Sequence, residues 1–387
     1  MKKLFVIGMA ALLLVAFTMP AMAKVKIGGI IFTSLYYLDR DSDNKRVYNP
    51  AAFGNDSYTN TRIDLNPISR FYFRWTNEDN VGLYFESSVS SSDVGIRHFY
   101  GWWEVNPMFQ IMAGHSTTPF SPLAPSQLIG LLGGSTNVIG LGYGEFYAGR
   151  FQQVRGTFRF GKAARLEIAI VDPNGSASLG MGEFGPWAVS ENNTKIPRID
   201  IGVPIYAGPV HIYPSFLYQH RTVDLPAGHT EDNDLDTFVG SLGLKAGFGP
   251  FGIAMEGNWG ENWANTRGQF GSSPSARLAA AVLKNNNQIH DAETYSFWID
   301  LSYKFGPVTP HIIYGQQKSE NENAAGSEME CKTQMWGVSV PIDLARGFRV
   351  RPEVMWYDDG DTSTEGSSPS VDNGKYAIYG VQFQITF

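Results

Sequence analysis

The side chains whose type and spacing could do chemistry in this sequence are mostly arginines. In TRIDLNPISRFYFRW, Arg62, Arg70 and Arg74 share a parity with Asp64, Asn66 and Tyr72, whereas Ile63, Leu65, Phe71, Phe73 and Trp75 share the other. Successive residues of a strand point to opposite faces, so this stretch has one basic and one apolar face. A helix would scatter the same arginines around its circumference. Other alternating runs add Arg97, Arg155, Arg159, Arg165, Arg198, Arg349 and Arg351, with Lys245 and Lys304. A planar guanidinium matches the geometry of carboxylates and phosphates, so a row of them would bias a polar surface toward anions. The same faces carry Asp64, Glu86, Glu167, Asp200, Glu256, Asp300 and Glu353. Pairs such as Arg62–Asp64 and Arg351–Glu353 would hold a wall together without setting selectivity. Both readings stay open at this level.

Other chemistry finds little support. The chain has no H-E-x-x-H, no Gly-Lys-Ser/Thr phosphate loop and no G-x-S-x-G elbow. GLGYGEF, from Gly140 to Phe146, has spaced glycines but no strand-to-helix context for a dinucleotide. The seven histidines are scattered, so a Ser–His hydrolase would depend on spatial proximity alone. No catalytic residue and no cofactor is expected. Asp39, Asp41 and Asp43 in DRDSDN, and Asp359, Asp361 and Glu365 further on, offer the oxygen ligands that calcium favours. The first cluster lacks the loop glycine and twelfth-position Glu, so solvated loop charge is preferred over a weak Ca2+ site. The net charge of −7 argues against a nucleic-acid partner. The one cysteine, Cys331, cannot make an intramolecular disulfide.

The elements that must position these arginines are strands. From Lys24 onward, alternating runs are joined by connections that are short and long in turn. Ala207-Gly208-Pro209, Gly249-Pro250 and Gly306-Pro307 supply the backbone shapes that tight turns need. Asp-, Glu-, Asn- and Ser-rich loops join the other ends. The count is about sixteen strands, an even number within the range of membrane barrels. The expected fold class is therefore all-β, a single transmembrane antiparallel β-barrel over residues 24–387. Tyr206, Phe248, Phe251 and Phe305 would form an aromatic girdle at the short-turn end; Tyr36, Tyr37, Trp356 and Tyr376 would contribute to the other. Residues 1–23 read as a cleavable signal peptide: Lys2 and Lys3, an apolar run from Leu4 to Phe17, then Ala21-Met22-Ala23. No later apolar run approaches the roughly 18 residues of a membrane helix.

The last stretch, GKYAIYGVQFQITF, alternates Tyr379, Val381, Phe383, Ile385 and Phe387 with Gly380, Gln382, Gln384 and Thr386. Here the sequence resembles the outer-membrane barrel family, whose members commonly end in an alternating strand with terminal Phe. The resemblance implies a bacterial outer-membrane location and recognition of the Phe387 strand by the barrel-assembly machinery. A sixteen-stranded barrel is too wide for side chains to fill. The Thr117–Gly149 connection is the longest, and Glu145 is its one acid. In this the chain resembles the general porins, in which the third long loop folds inward opposite an arginine ladder. The PEFGGD-type acidic motif of enterobacterial porins is absent. That resemblance implies a homotrimer in outer-membrane lipid and lipopolysaccharide, passing small hydrophilic solutes with a weak preference for anions. The expected pore-lining set is Arg62, Arg70, Arg74, Arg97, Arg155, Arg159, Arg349, Arg351 and Glu145. The alternatives are a substrate-specific channel whose aromatic wall receives a stacking ligand, or a plugged barrel acting as an enzyme or adhesion platform.

Overall fold

The computed structural model describes residues 24–43, 58–66, 68–89, 94–126, 140–173, 178–179, 187–188, 196–222, 234–266, 273–283, 289–323, 325–366 and 370–387. The expected signal peptide and residues 127–139 of the long central loop lie outside them.

Sixteen antiparallel strands close into a barrel. They are β1 (Lys24–Arg40), β2 (Tyr58–Leu65 and Arg70–Thr76), β3 (Val81–Val89), β4 (Val94–Asn106), β5 (Phe109–Thr117) and β6 (Arg150–Phe160). Next come β7 (Ala164–Val171), β8 (Arg198–Gly202 and Ile205–Ala207), β9 (Val210–Thr222), β10 (Asp234–Phe248) and β11 (Phe251–Glu261). The circuit ends with β12 (Glu293–Tyr303), β13 (His311–Glu322), β14 (Glu328–Ser339, then Ile342–Ala345), β15 (Phe348–Asp358, then Asp361–Thr364) and β16 (Lys375–Thr386). Short turns join one end of the barrel. Gly208 and Gly249 both have φ 60°, a left-handed conformation that glycine adopts without a Cβ penalty.

Closure brings the two chain ends together. Ile31 faces Ile385, Thr33 faces Phe383, Leu35 faces Val381 and Tyr37 faces Tyr379. The register reaches the terminus: Gly29 N donates to Phe387 O at 3.0 Å and Phe387 N donates to Gly29 O at 3.1 Å. A Cβ at Gly29 would lie 2.6 Å from the Phe387 ring, so a side chain there would collide with it. Pairing with β1 thus removes the free edge that β16 would otherwise expose.

The outward parity is apolar. Ile63, Val154, Leu242, Leu301 and Ile312 stand exposed on it, as a lipid-facing wall requires. Phe248, Phe251 and Phe305 form part of the short-turn girdle, and Tyr37 and Trp356 part of the other. Three girdle assignments need correction. Tyr206 points inward beneath the Arg165 guanidinium, 5.9 Å from the ring centroid. Tyr36 and Tyr376 also point inward, where they are buried with Leu38 and Ile378. Inward and outward residues are both apolar in this region, because the inner face is covered by chain rather than by water.

TRIDLNPISRFYFRW is not one continuous strand. Pro67 has no N–H for the ladder, and pairing with β1 stops at Thr33–Leu65 and resumes at Ile30–Arg70. Ser69 Oγ fills the gap, accepting from Phe32 N at 2.9 Å and lying 3.2 Å from Phe32 O. The excess on β2 is an even number of residues, so Arg62, Arg70 and Arg74 keep one face.

Candidate functional site

The inner surface of β2 to β7 is basic and aromatic. Arg97 reaches it through a bulge: strict alternation would group it with outward Phe99 and Trp103. Pairing shifts between Glu86 and Ser87, so that Ile96 and His98 face consecutive residues of β3 and Arg97 is extra. Such an insertion re-aims a side chain. Arg97 Nε then donates to Glu86 Oε1 at 2.8 Å, while Tyr84 OH donates to Glu86 Oε2 at 2.7 Å. Arg159 grips Glu104 with both terminal nitrogens at 2.6 and 3.0 Å. Arg165 lies 3.2 Å from Glu167. Along β2 to β4, Tyr72, Tyr84, Tyr100 and Trp102 form a ladder with neighbouring centroids 6.3, 5.6 and 6.0 Å apart.

Wall-building and excess charge therefore coexist. Arg198 is fully buried in a bidentate pair with Asp200, both bonds 2.7 Å. Arg349 pairs with Asp343 at 2.6 Å, and Arg351 with Glu353 at 3.9 Å. By contrast, Arg62, Arg70, Arg74, Arg150 and Arg155 enter no ion pair among the described residues. Asp64, the expected partner of Arg62, instead accepts from Tyr36 OH at 2.7 Å. Arg74 stacks on Trp102 at 4.9 Å. Uncompensated charge is thus concentrated on β2 and β6.

Arg150 and His98 escaped the sequence reading. Arg150 Nε donates to His98 Nε2 at 3.2 Å, and His98 Nδ1 lies 3.1 Å from Ser116 Oγ. A nitrogen that accepts from arginine cannot carry a proton, so the imidazole proton sits on Nδ1 and is donated to Ser116. Arg150 follows the glycine-ended loop, and only tertiary contact shows which side it takes.

The described residues of the long loop, 118–126 and 140–149, fold inside along the opposite arc. Ser121 N donates to Ser215 Oγ of β9 at 3.1 Å; Ser126 N donates to Asp300 Oδ2 of β12 at 2.8 Å. Ser296 Oγ of β12 donates to Gly144 O at 2.8 Å, and Thr333 Oγ1 of β14 to Gly142 O at 2.5 Å. Tyr143 OH donates to Asp359 and accepts from Tyr376 OH of β16. Two glycines let the backbone this close. A Cβ at Gly315 would lie 2.1 Å from Tyr143 O, and one at Gly144, with φ 125°, 2.3 Å from Phe297 O. Beneath the loop, Phe120, Phe146, Leu217, Val239 and Trp263 make an apolar cluster.

Glu145 is not on the lumen surface, as expected from sequence, but 2% exposed between this loop and the wall. The loop docks its one carboxyl inward with its aromatic residues. Burial, and then the charge of Glu256, hold its pKa well above the usual carboxylate range. Asp359 likewise is buried under Tyr143 rather than solvated in a loop. Among the described residues no three His, Cys, Asp or Glu side chains converge to hold a metal ion.

A second inner segment was not anticipated. Residues 262–292 carry the short helix α1 (Pro274–Leu278) and buried Ala279, Ala280, Ala281 and Val282. Ser273 caps the helix, accepting from Ala276 N at 3.2 Å, and its hydroxyl lies 2.8 Å from Gly142 O of the central loop. Asn321 Nδ2 donates to Leu278 O and Ala280 O at 2.9 and 2.6 Å, fastening the segment to β13. The signal available was PSARLAAAVL itself, a small-residue apolar run inside a connection otherwise polar.

A closed sixteen-stranded antiparallel barrel is the architecture of outer-membrane porins, and solved structures share this fold. The fold is similar to the outer-membrane channel DcaP of Acinetobacter baumannii, with TM-score 0.65 and 18% identity over 95% of this chain and 99% of that one. It is similar to an anion-selective porin from Comamonas acidovorans, with TM-score 0.60 and 13% identity over 94% and 100%. Salmonella typhi OmpF, in complex with daunomycin, gives TM-score 0.56 and 12% identity over 94% and 98%. No family model and no curated protein sequence matches the chain. At such identities the likeness is one of fold.

Proposed function

We propose that this chain is an outer-membrane porin, a passive channel for small hydrophilic solutes and ions that favours anions. The observation that carries the preference is the one-sided wall: Arg62, Arg70, Arg74, Arg150 and Arg155 enter no ion pair among the described residues. Fixed positive charge in a low-dielectric channel raises the local concentration of anions. Arg97, Arg159, Arg349 and Arg351 contribute less, because their carboxylate partners cancel them. The anion-selective porin named above has the same fold and supports this reading.

The export signal at residues 1–23, the outer-membrane location, contact with lipopolysaccharide, assembly through the Phe387 strand and a homotrimeric state belong to the same proposal. Conductance of the purified protein in planar bilayers under a salt gradient tests it. We expect ohmic steps in threes and a reversal potential on the anion side. Silence at all voltages would overturn the channel. The tyrosine ladder supports a second reading, a channel with a preferred anionic solute bearing a flat face. Such a solute would reduce the chloride current at concentrations where an anion of the same charge without a flat face leaves it unchanged.

A further inference from the structure

Ser121 Oγ lies 2.5 Å from the carbonyl oxygen of Phe146 and 2.6 Å from Glu256 Oε1. A hydroxyl has one proton to donate, and a carbonyl oxygen only accepts. If Ser121 donates to Phe146, the contact with Glu256 is a hydrogen bond only when the carboxyl supplies the proton. The other oxygen, Oε2, receives Leu123 N at 3.4 Å, which suits the carbonyl end of an acid. Glu256 and Ser121 are both buried, 0% and 6% exposed. We infer that Glu256 is a positioning residue that holds the inner loop as a neutral carboxylic acid, so that losing its proton loosens the loop.

Among the described residues no cation pairs with Glu256. On β10, Gly243 is the register partner, with Lys245 the next inward residue, opposite Ala254. On β12, Trp298 is the partner, followed by Asp300, which already accepts from Ser126 N and bonds His311 Nδ1 at 2.7 Å. Its own strand supplies Asn258, buried on the same face. From the loop comes Glu145, whose Oε2 has no hydrogen-bond partner among the described residues. Ionising either of these two buried carboxyls raises the cost of ionising the other. The sign follows: the docked loop binds a proton that the released loop gives up, so docking is complete at acid pH. It weakens as pH rises through the pKa of the buried acid.

The test labels a Ser126→Cys variant, in a Cys331→Ser background, with a membrane-impermeant maleimide from pH 6 to 10. Rates are divided by those of the same protein carrying Glu256→Gln, whose amide still donates to Ser121 but cannot ionise. We expect the ratio to be flat at acid pH and then rise, by up to tenfold per pH unit. Ser121→Ala, which removes the shared acceptor, should label faster at every pH and lose the alkaline step. A flat ratio throughout, or an alkaline step abolished by Glu145→Gln while Glu256→Gln keeps it, would overturn the assignment. This inference rests on the loop's place in the lumen and needs no conduction. A silent barrel would therefore count against the porin reading, and a flat labelling ratio against the latch.

Discussion

Arg198 and Arg74 show how differently two inward arginines behave. Arg198 is sealed with Asp200 under the end of the central loop, within 3.4 Å of Ala148 O and with its guanidinium 5.1 Å from the Phe151 ring centroid. Arg198→Ala should cost about 3–5 kcal/mol, because it strands a buried carboxylate. Urea unfolding in detergent micelles measures that loss. Arg74 is exposed to the lumen and rests on Trp102, so its removal should change stability little. Replacing Arg70 and Arg74 together by Gln should move the reversal potential toward cations. An unchanged potential would reduce these arginines to wall structure. Parity alone groups Arg62, Arg70 and Arg74 on one face, opposite exposed Ile63. It could not place Arg97, which needs the β4 bulge, or Glu145, which lies in a loop where alternation says nothing.

At the scale of elements, the two inner loops depend on each other through one carbonyl. Gly142 O accepts from Ser273 Oγ of the α1 segment and from Thr333 Oγ1 of β14. Removing both donors, by Ser273→Ala with Thr333→Val, leaves that buried oxygen unsatisfied at a cost of about 1–3 kcal/mol. We expect larger open-channel current fluctuations, with the barrel's melting temperature nearly unchanged because strand pairing is untouched. The closing seam makes a different prediction. Gly29→Val would place side-chain atoms where the Phe387 ring lies, so the variant should refold into detergent more slowly, as followed by heat-modifiable migration on gels. Strand count and turn positions were legible because barrel strands alternate and glycine and proline mark the turns. The α1 segment was not, since its partners look like ordinary polar wall residues: Asn321, which holds Leu278 O and Ala280 O, and Ser319, whose hydroxyl lies 3.2 Å from that of Ser275.

For the whole molecule, the outward rim at the long-loop end carries a row of like charges. Glu261 faces Glu293, Glu293 faces Glu320, and Glu320 faces Glu330 across four strands. Lys318 relieves one end of the row, at 2.7 Å from Glu320 and 3.1 Å from Glu330. Carboxylates directly opposite one another destabilise a sheet, and salt screens exposed pairs. Thermal stability in neutral detergent should therefore rise between about 10 and 150 mM salt, where the Debye length falls from roughly 30 to 8 Å. A flat dependence would show that the row is neutralised in the isolated protein.

What the amino-acid sequence determined by itself is the barrel. Side-chain direction repeats every two residues, so the order of apolar and polar groups sets each strand's faces, and Gly–Pro pairs mark the turns. What only the tertiary structure decided is the content of the lumen. Tyr36, Leu38, Tyr376 and Ile378 face inward because Tyr143 arrives from far along the chain to cover them. Glu145 and Glu256 meet only when the loop crosses the barrel. Contacts of that range depend on closure and shear of the whole sheet, which no local pattern encodes.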